Sequence, residues 1–257
     1  MNTARVTNGG RPALSLWIIL AALLAAAATA APSFAANIGI TWLDMSPTAF
    51  NSTVPNNSVF NVPGVGNVTV IYSIPSHWTQ ARHQNPSFTA GSVVSGPDTY
   101  SWNNYEDFAT IFTPGNLGPE PGTVTYIFPS LLPAGSVFIG TIGLGATTSF
   151  GGGTSTTTVN QNGTFLGDYV PVAGFGPTQF IGGANTFTLQ NSLTGAGGAD
   201  PWWNTYLGVV RIDDAVQSIV VHQSQLRGDG IGVNVGFYAP VVPVKGSAWS
   251  GIKGLYR

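Results

Sequence analysis

Apolar residues recur at every second position through most of this chain, and that period limits what the chain can fold into. Between Ile231 and Phe237, apolar residues alternate with Gly and Asn, so one face of the segment is apolar and the other nearly bare. Val124, Tyr126 and Phe128 repeat the pattern upstream. Successive side chains of a β-strand point to opposite faces, so a period of two predicts strands with one buried side.

The breaks between these stretches are rich in Gly, Pro, Asn and Ser, and the chain has 34 glycines and 18 prolines. No window after Ala36 sustains the i, i+3, i+4, i+7 apolar spacing of an amphipathic helix. About ten to twelve short segments qualify as strands, which suits one domain of two sheets. We therefore predict an all-β fold, an antiparallel two-sheet sandwich of the jelly-roll type.

Three of these segments close the chain. Leu207 to Ile212, Ser218 to Val221 and Ile231 to Phe237 follow one another across short turns, which predicts an antiparallel meander. Upstream, Gly143 to Gly163 includes a run of five Thr and Ser residues, and we interpret it as a long loop with a polar edge strand.

The first 35 residues have the parts of a secretory signal peptide. Arg5 and Arg11 give a positive start, residues 14–28 form an apolar run, and Ser33-Phe34-Ala35 has the small-x-small pattern of a cleavage site. We expect cleavage before Ala36 and a secreted or periplasmic protein. A retained membrane helix is the alternative, because residues 14–31 are about as long as a minimal bilayer span.

With the leader, the chain has three expected parts. We expect residues 1–35 to be the signal peptide, residues 36–243 to form a single β-sandwich domain, and residues 244–257 to be a loose tail. The long Gly- and Thr-rich stretch is interpreted as a loop inside the domain, because no linker separates its two halves.

Charge is scarce: eight Lys and Arg and ten Asp and Glu make up 7% of the chain, where a soluble domain has roughly a quarter. Loss of the leader's two arginines leaves six basic and ten acidic residues, a net charge of -4. Such a mild charge argues against nucleic acid as a partner and against a membrane after signal cleavage. The chain has no cysteine, so packing rather than disulfides must stabilise it.

Aromatic residues are the first candidates for a binding site. Trp202 and Trp203 are adjacent, so on a strand one ring faces the core while the other stands in solvent. Tyr100, Trp102 and Tyr105 form a second group beside Asn and Asp residues. Exposed rings of this kind stack on sugars in carbohydrate-binding modules, and core or rim packing is the alternative interpretation.

Residues 77–107 form the one segment in which titratable residues are concentrated. The segment contains His77, His83, Asp98, Glu106 and Asp107. A hydrolase could pair two carboxylates or a His with an Asp there, although no metal-ligand spacing or nucleophile motif accompanies them. Ordinary exposed loop side chains are the alternative.

Aspartates at strand ends are candidate calcium ligands. Asp213, Asp214 and Asp229 hold such positions, and exported sandwiches bind structural calcium through carboxylates of this kind. No known calcium-loop spacing is present, so turn-capping aspartates and no cofactor at all are the preferred interpretation.

The sequence LGVVRIDDAVQSIVVHQSQLRGDGIGVNVGFYAP, from Leu207 to Pro240, resembles the closing strands of exported bacterial β-sandwich proteins of the PEP-CTERM-associated kind. This resemblance implies a sandwich fold and transfers no functional residue. The chain ends in Gly-Ile-Lys-Gly-Leu-Tyr-Arg, without the Pro-Glu-Pro motif or a terminal hydrophobic helix, so we do not expect anchoring by that route.

These observations favour a non-catalytic extracellular or cell-surface protein that acts by self-association or adhesion through bare strand faces or edges. Its expected partner is itself, a polysaccharide or another surface component. A carbohydrate-binding module that uses exposed Trp and Tyr is the first alternative, and a secreted hydrolase with an acidic and His site is the second.

Overall fold

The fold is all-β, as predicted. The computed structural model describes residues 35–49, 51–73, 78–84, 90–112, 122–144, 155–169, 177–191, 206–225 and 231–238. These ranges contain seventeen β-strands and no helix. No described segment has the helical structure and apolar length that crossing a bilayer requires.

The first sheet contains ten strands. They are β1 (Asn37–Trp42), β2 (Ser52–Thr53), β5 (Trp78–Gln84), β6 (Gly91–Ser95), β7 (Asp98–Trp102), β8 (Asp107–Phe112), β10 (Val137–Ile142), β12 (Gly163–Tyr169), β15 (Leu207–Ile212) and β17 (Ile231–Tyr238). Its main path runs β12-β15-β10-β17-β1-β7-β6, and β8, β5 and β2 branch from β17.

The second sheet contains seven strands. They are β3 (Ser58–Val62), β4 (Gly66–Ser73), β9 (Gly122–Leu132), β11 (Ser155–Val159), β13 (Thr178–Gly183), β14 (Thr186–Asn191) and β16 (Val216–Gln225). Their order is β13-β14-β11-β16-β9-β4-β3. Among the described pairs, all are antiparallel except β1 with β7.

The ten-stranded sheet curls until it is nearly barrel-shaped. Its last strand, β6, returns to its first, β12: a Cβ added at Gly91 would lie 2.7 Å from the ring of Tyr169, and one at Gly167 would lie 3.7 Å from Cβ of Val93. The right-handed twist of strands produces this curvature as the sheet widens. We refer to it as the curled sheet.

Two hydrophobic cores result from this arrangement. The larger lies between the sheets and receives the inward residues of both, for example Tyr126 and Ile219 from one and Ile139 and Val235 from the other. The smaller lies inside the curled sheet, around Trp42. β10 faces both cores, which explains why all six of its residues are buried.

The bare face predicted for the last strand is covered in the fold. A Cβ added at Gly236 would lie 2.6 Å from Cγ2 of Ile40 and 2.7 Å from the indole of Trp42, so these side chains lie directly on the glycine backbone. Asn234, on the same face, donates Nδ2 bonds to the carbonyls of Leu43 and Glu106. The alternating glycines therefore allow side chains of the core to pack on the backbone of β17, and they do not form an open surface.

The predicted C-terminal meander is wrong. β15 and β17 lie in the curled sheet, where both pair with β10, whereas β16 lies in the seven-stranded sheet between β9 and β11. Each connection crosses from one sheet to the other. The period of two identifies a strand that is buried on one side, but it carries no information about the sheet that the strand joins.

The Thr-rich strand is also not an edge strand. β11 lies between β14 and β16, and its inward residues Ser155 and Thr157 are fully buried. The buried interior is polar here: opposite Thr157 lies Gln223, whose side-chain carbonyl accepts a 2.9 Å bond from the hydroxyl of Thr110. The hydroxyl of Thr157 and the side-chain nitrogen of Gln223 have no hydrogen-bond partner among the described residues, so this polar interior is only partly satisfied.

The chain divides into two compact units, Met1–Ala35 and Ala36–Arg257. All described strands belong to the second unit. The predicted signal peptide and the predicted tail at residues 244–257 lie outside the described residues, apart from Ala35.

Candidate functional site

The second aromatic group named from the sequence lies in the small core. Trp102 is 4% exposed and Tyr105 is fully buried. Both meet Trp42 edge to face, with ring centroids 5.9 Å and 5.0 Å apart, and the Tyr105 hydroxyl donates to the carbonyl of Gly140. Rings that pack in this way fill the core and cannot offer a flat face to a sugar.

Tyr100 is the third member of this group and is 3% exposed. Its ring packs edge to face on Phe138, 6.0 Å away. Burial therefore supports the core interpretation for the whole group. Trp202 and Trp203 lie outside the described residues, so their proposed role in stacking stays a prediction.

The titratable residues do not form one described cluster. Glu106 is 7% exposed, and its carboxylate accepts a 2.8 Å bond from the amide of Met45. Asp98 accepts a 3.0 Å bond from the amide of Ala36. The register sets His83 opposite Phe108 and Gln84 opposite Asp107, but the side chains of His83 and Asp107, like all of His77, lie outside the description.

The two aspartates at the β15–β16 turn are occupied by protein donors. Asp213 accepts from Nε of Arg211 at 3.0 Å and from the hydroxyl of Thr164 at 2.6 Å. Asp214 accepts from the backbone and side-chain nitrogens of Asn162, and these bonds lower its pKa. All four carboxylate oxygens thus have a donor, which is how turn-capping residues are arranged.

Asp229, the third candidate calcium ligand, lies outside the described residues. Within the part of the chain that is described, no three His, Cys, Asp or Glu side chains come together in a way that could hold a metal ion.

The outward surface of the seven-stranded sheet is uncharged. None of its seven strands contains an Asp, Glu, Lys or Arg. The described charged residues belong instead to the curled sheet and to turns, as Asp98, Asp168 and Arg211 show. Charged residues are therefore few in the chain as a whole and absent from the strands of this sheet.

We call the outward residues of this sheet the uncharged face. Burial alternates along its strands, so the residues between the buried ones point away from the core. They are mainly hydroxyl, amide and β-branched side chains: Val59, Thr69, Ile71, Thr123, Thr125, Ile127, Thr156, Thr158, Gln179, Ile181, Thr188, Gln190, Ser218, Val220 and His222.

The strand register orders these side chains into rows. Val59, Thr69, Ile127 and Ser218 follow one another across β3, β4, β9 and β16. In the next strands the hydroxyls of Thr158 and its cross-strand neighbour on β14 are 2.8 Å apart. Side chains aligned in this way restrict one another, so the face presents a repetitive surface.

A second candidate site is a pocket of about 510 Å³ at one end of the curled sheet. We call it the mouth pocket. Its wall includes Ile38, Tyr100, Ser136, Phe138, Arg211 and Tyr238. Tyr238 is 42% exposed, so its ring is accessible to a bound molecule. The volume lies in the range of small-molecule sites, and the ends of curled sheets are common places for them.

Arg211 is the charged side chain in the wall of this pocket, and it is paired. Burial opposes its charge, but the hydrogen bond and the charge of Asp213 outweigh that effect and raise the pKa of the guanidinium. A smaller contribution comes from Tyr100. Asp213 neutralises the charge of the guanidinium, so the pocket suits a neutral polar ligand better than an anion.

The chain matches no protein-family model, no curated protein and no solved structure.

The sequence did not reveal the uncharged face and, apart from Tyr100, did not reveal the residues of the mouth pocket. A signal for the face was present: Thr-x-Thr occurs in three of the strands, at Thr123–Thr125, Thr156–Thr158 and Thr186–Thr188. No comparable signal exists for the pocket, because Ile38, Phe138, Arg211 and Tyr238 come from four strands that are far apart in the chain.

Proposed function

We propose that this is an exported, non-catalytic protein that works by self-association through the uncharged face. The observation that carries the proposal is the absence of charged residues from all seven strands of that sheet. A soluble protein ordinarily places charged groups on a solvated sheet face, and an interface core is depleted of them. The finer jelly-roll assignment and the signal peptide belong to the same proposal.

Size supports a second copy as the partner. Seven strands about 4.8 Å apart and roughly six residues long give a face of about 34 Å by 20 Å. Such a face covers roughly 700 Å² on each copy, near the value of about 800 Å² for a standard interface. Two copies of the same sheet can stack face to face, because neither brings a charge that the other would have to neutralise.

Sedimentation equilibrium of the mature chain tests this proposal. We expect reversible, concentration-dependent association whose dissociation constant changes less than about twofold between 0.05 M and 0.5 M NaCl, because no exposed charge takes part. A monomer at all concentrations, or association that salt abolishes, would contradict it.

A pair of lysine variants locates the interface. Ile127→Lys introduces a charge at a position 36% exposed on the uncharged face, and Val94→Lys does the same at a position 68% exposed on the curled sheet. We expect the first to weaken association at least about tenfold, because an unpaired ammonium must be desolvated, and the second to leave it unchanged. Equal thermal melting of the two variants is the control. If association proceeds instead by pairing of the edge strands β3 or β13, Ile127→Lys will have no effect.

Saccharide binding in the mouth pocket is a second candidate function. The wall of this pocket contains both the exposed ring of Tyr238 and the guanidinium of Arg211, whose charge Asp213 neutralises, and this combination favours it. A pyranose stacks its apolar face on such a ring, and its hydroxyls accept hydrogen bonds from the guanidinium. Calorimetric titration with glucose and N-acetylglucosamine oligosaccharides tests this, with Tyr238→Ala as the variant and Leu131→Ala, at another exposed apolar side chain, as its control. Binding that survives Tyr238→Ala excludes this pocket.

A further inference from the structure

Ala36 is tied to β7 through both of its backbone groups. Its amide donates a 3.0 Å bond to Oδ1 of Asp98, and its carbonyl accepts a 2.9 Å bond from the amide of Thr99. The next residue continues the contact, since Oδ1 of Asn37 accepts a 3.0 Å bond from the hydroxyl of Ser101. The chain is therefore fixed to the curled sheet from Ala36 onward.

The peptide bond before Ala36 stands out in both the structure and the sequence. Ala36, on its carboxyl side, is bonded to β7 through its amide and its carbonyl. The same peptide bond follows Ser33-Phe34-Ala35, which has the small-x-small pattern of signal-peptidase substrates. A carboxylate thus lies within hydrogen-bond distance of the nitrogen that cleavage would release.

We propose that the Ala35–Ala36 bond is the maturation site and that the α-ammonium released there pairs with Asp98, which holds the new amino terminus at the rim of the mouth pocket. Hydrolysis adds one water across the bond: its oxygen enters the carboxylate of Ala35, and Ala36 becomes a protonated amine. Ala36 also contributes to the wall of the pocket, so maturation changes the charge at its rim. This inference rests on the proposed export of the chain.

The change of charge strengthens the contact with Asp98. A neutral amide donates one hydrogen bond, whereas an α-ammonium has three donors and a formal charge, and charge-assisted bonds are the stronger kind. A nearby carboxylate favours the charged amine, so the pKa of this amine in the folded chain lies above its unfolded value of about 7.7–8.0. The contribution to stability is then present between about pH 5, where a carboxylate is ionised, and about pH 7.7, and it disappears as the pH rises through the folded value of the amine.

Thermal melting of two chains tests the pair. One chain begins at Ala36, and the other keeps residues 31–35, so that its amine lies elsewhere; every described strand is present in both. Asp98→Asn is made in each. At pH 6.5 we expect the substitution to lower the Tm of the first chain by about 1–4 °C more than that of the second, in line with an exposed ion pair. At pH 10 this difference should vanish.

An equal effect of Asp98→Asn in both chains, at both pH values, would overturn the ion pair. The cleavage site is tested separately by the intact mass of the exported chain, which we expect to begin at Ala36. A different first residue would overturn the maturation site. Neither measurement depends on association, so failure of the uncharged face as an interface remains distinguishable from failure of this inference. An exported chain that keeps its leader would refute the maturation site.

Discussion

At the scale of single residues, the packing of the small core depends on aromatic rings that lie directly on glycine backbone. The rings of Trp42 and Tyr105 lie 2.8 Å and 2.7 Å from the position that a Cβ at Gly140 would occupy, and Trp42 also covers Gly236. An alternating Gly pattern in a strand can mean an open face or a face in close contact with a ring. Only the fold distinguishes the two, because β1 and β17 are nearly 200 residues apart in the chain.

Replacement of Gly236 by Ala should destabilise the protein. The new methyl would overlap Ile40 and the indole of Trp42, and overpacking of this kind costs about 1–3 kcal/mol. For a chain of this size we expect a fall in Tm of roughly 2–10 °C. Gly182→Ala is the matched control, since its closest neighbour is the ring edge of Phe180 at 3.3 Å. Equal melting of the two variants would show that the small core yields to an added methyl.

At the scale of elements, the sequence predicted the strands better than their partners. Strand positions such as β9 and β17 are confirmed, because large apolar residues on one face leave a period of two in the sequence. The apolar face predicted for β17 is buried, but its Gly and Asn face is buried as well, which the period did not reveal. The meander and the polar edge strand were wrong, because sheet membership depends on contacts between distant segments. Turn aspartates lie between these cases: Asp213 and Asp214 were assigned to a turn correctly, but their partners Arg211, Thr164 and Asn162 were not foreseen.

The contact between Asp214 and Asn162 joins the β15–β16 turn to the β11–β12 turn and should make stability depend on pH. Its hydrogen bonds lower the pKa of Asp214 in the folded chain, so their contribution is present above the unfolded value of about 3.9 and is lost as the pH falls through the folded value. We therefore expect Asp214→Ala to lower the Tm at pH 7 and to have a smaller effect near pH 2.5. Asp44→Ala is the control, since this aspartate accepts a local bond from the amide of Ser46, two residues away. If Asp214→Ala lowers the Tm by the same amount at both pH values, the ionised carboxylate of Asp214 is not the source of the stabilisation.

At the scale of the whole molecule, charge is segregated between the two sheets. The sequence revealed that charged residues are few, but not that one complete sheet excludes them, because its strands are dispersed from Ser58 to Gln225. The mouth pocket shows the same limit, since its wall combines residues from both ends of the described chain. A face without charge and a pocket with one neutralised pair both favour neutral partners over ionic ones.

The most direct test of the account is the distance between spin labels on associated copies. The chain has no cysteine, so Ser218→Cys on the uncharged face and Ser92→Cys on the exposed side of β6 each provide a single labelling site. Stacked faces would bring two Ser218 labels within roughly 40 Å, about the diagonal of the face, and leave Ser92 labels farther apart. We predict a defined intermolecular distance for Ser218→Cys that disappears on dilution. A defined distance for Ser92→Cys alone, or for neither label in concentrated protein, would contradict the uncharged face as the site of association.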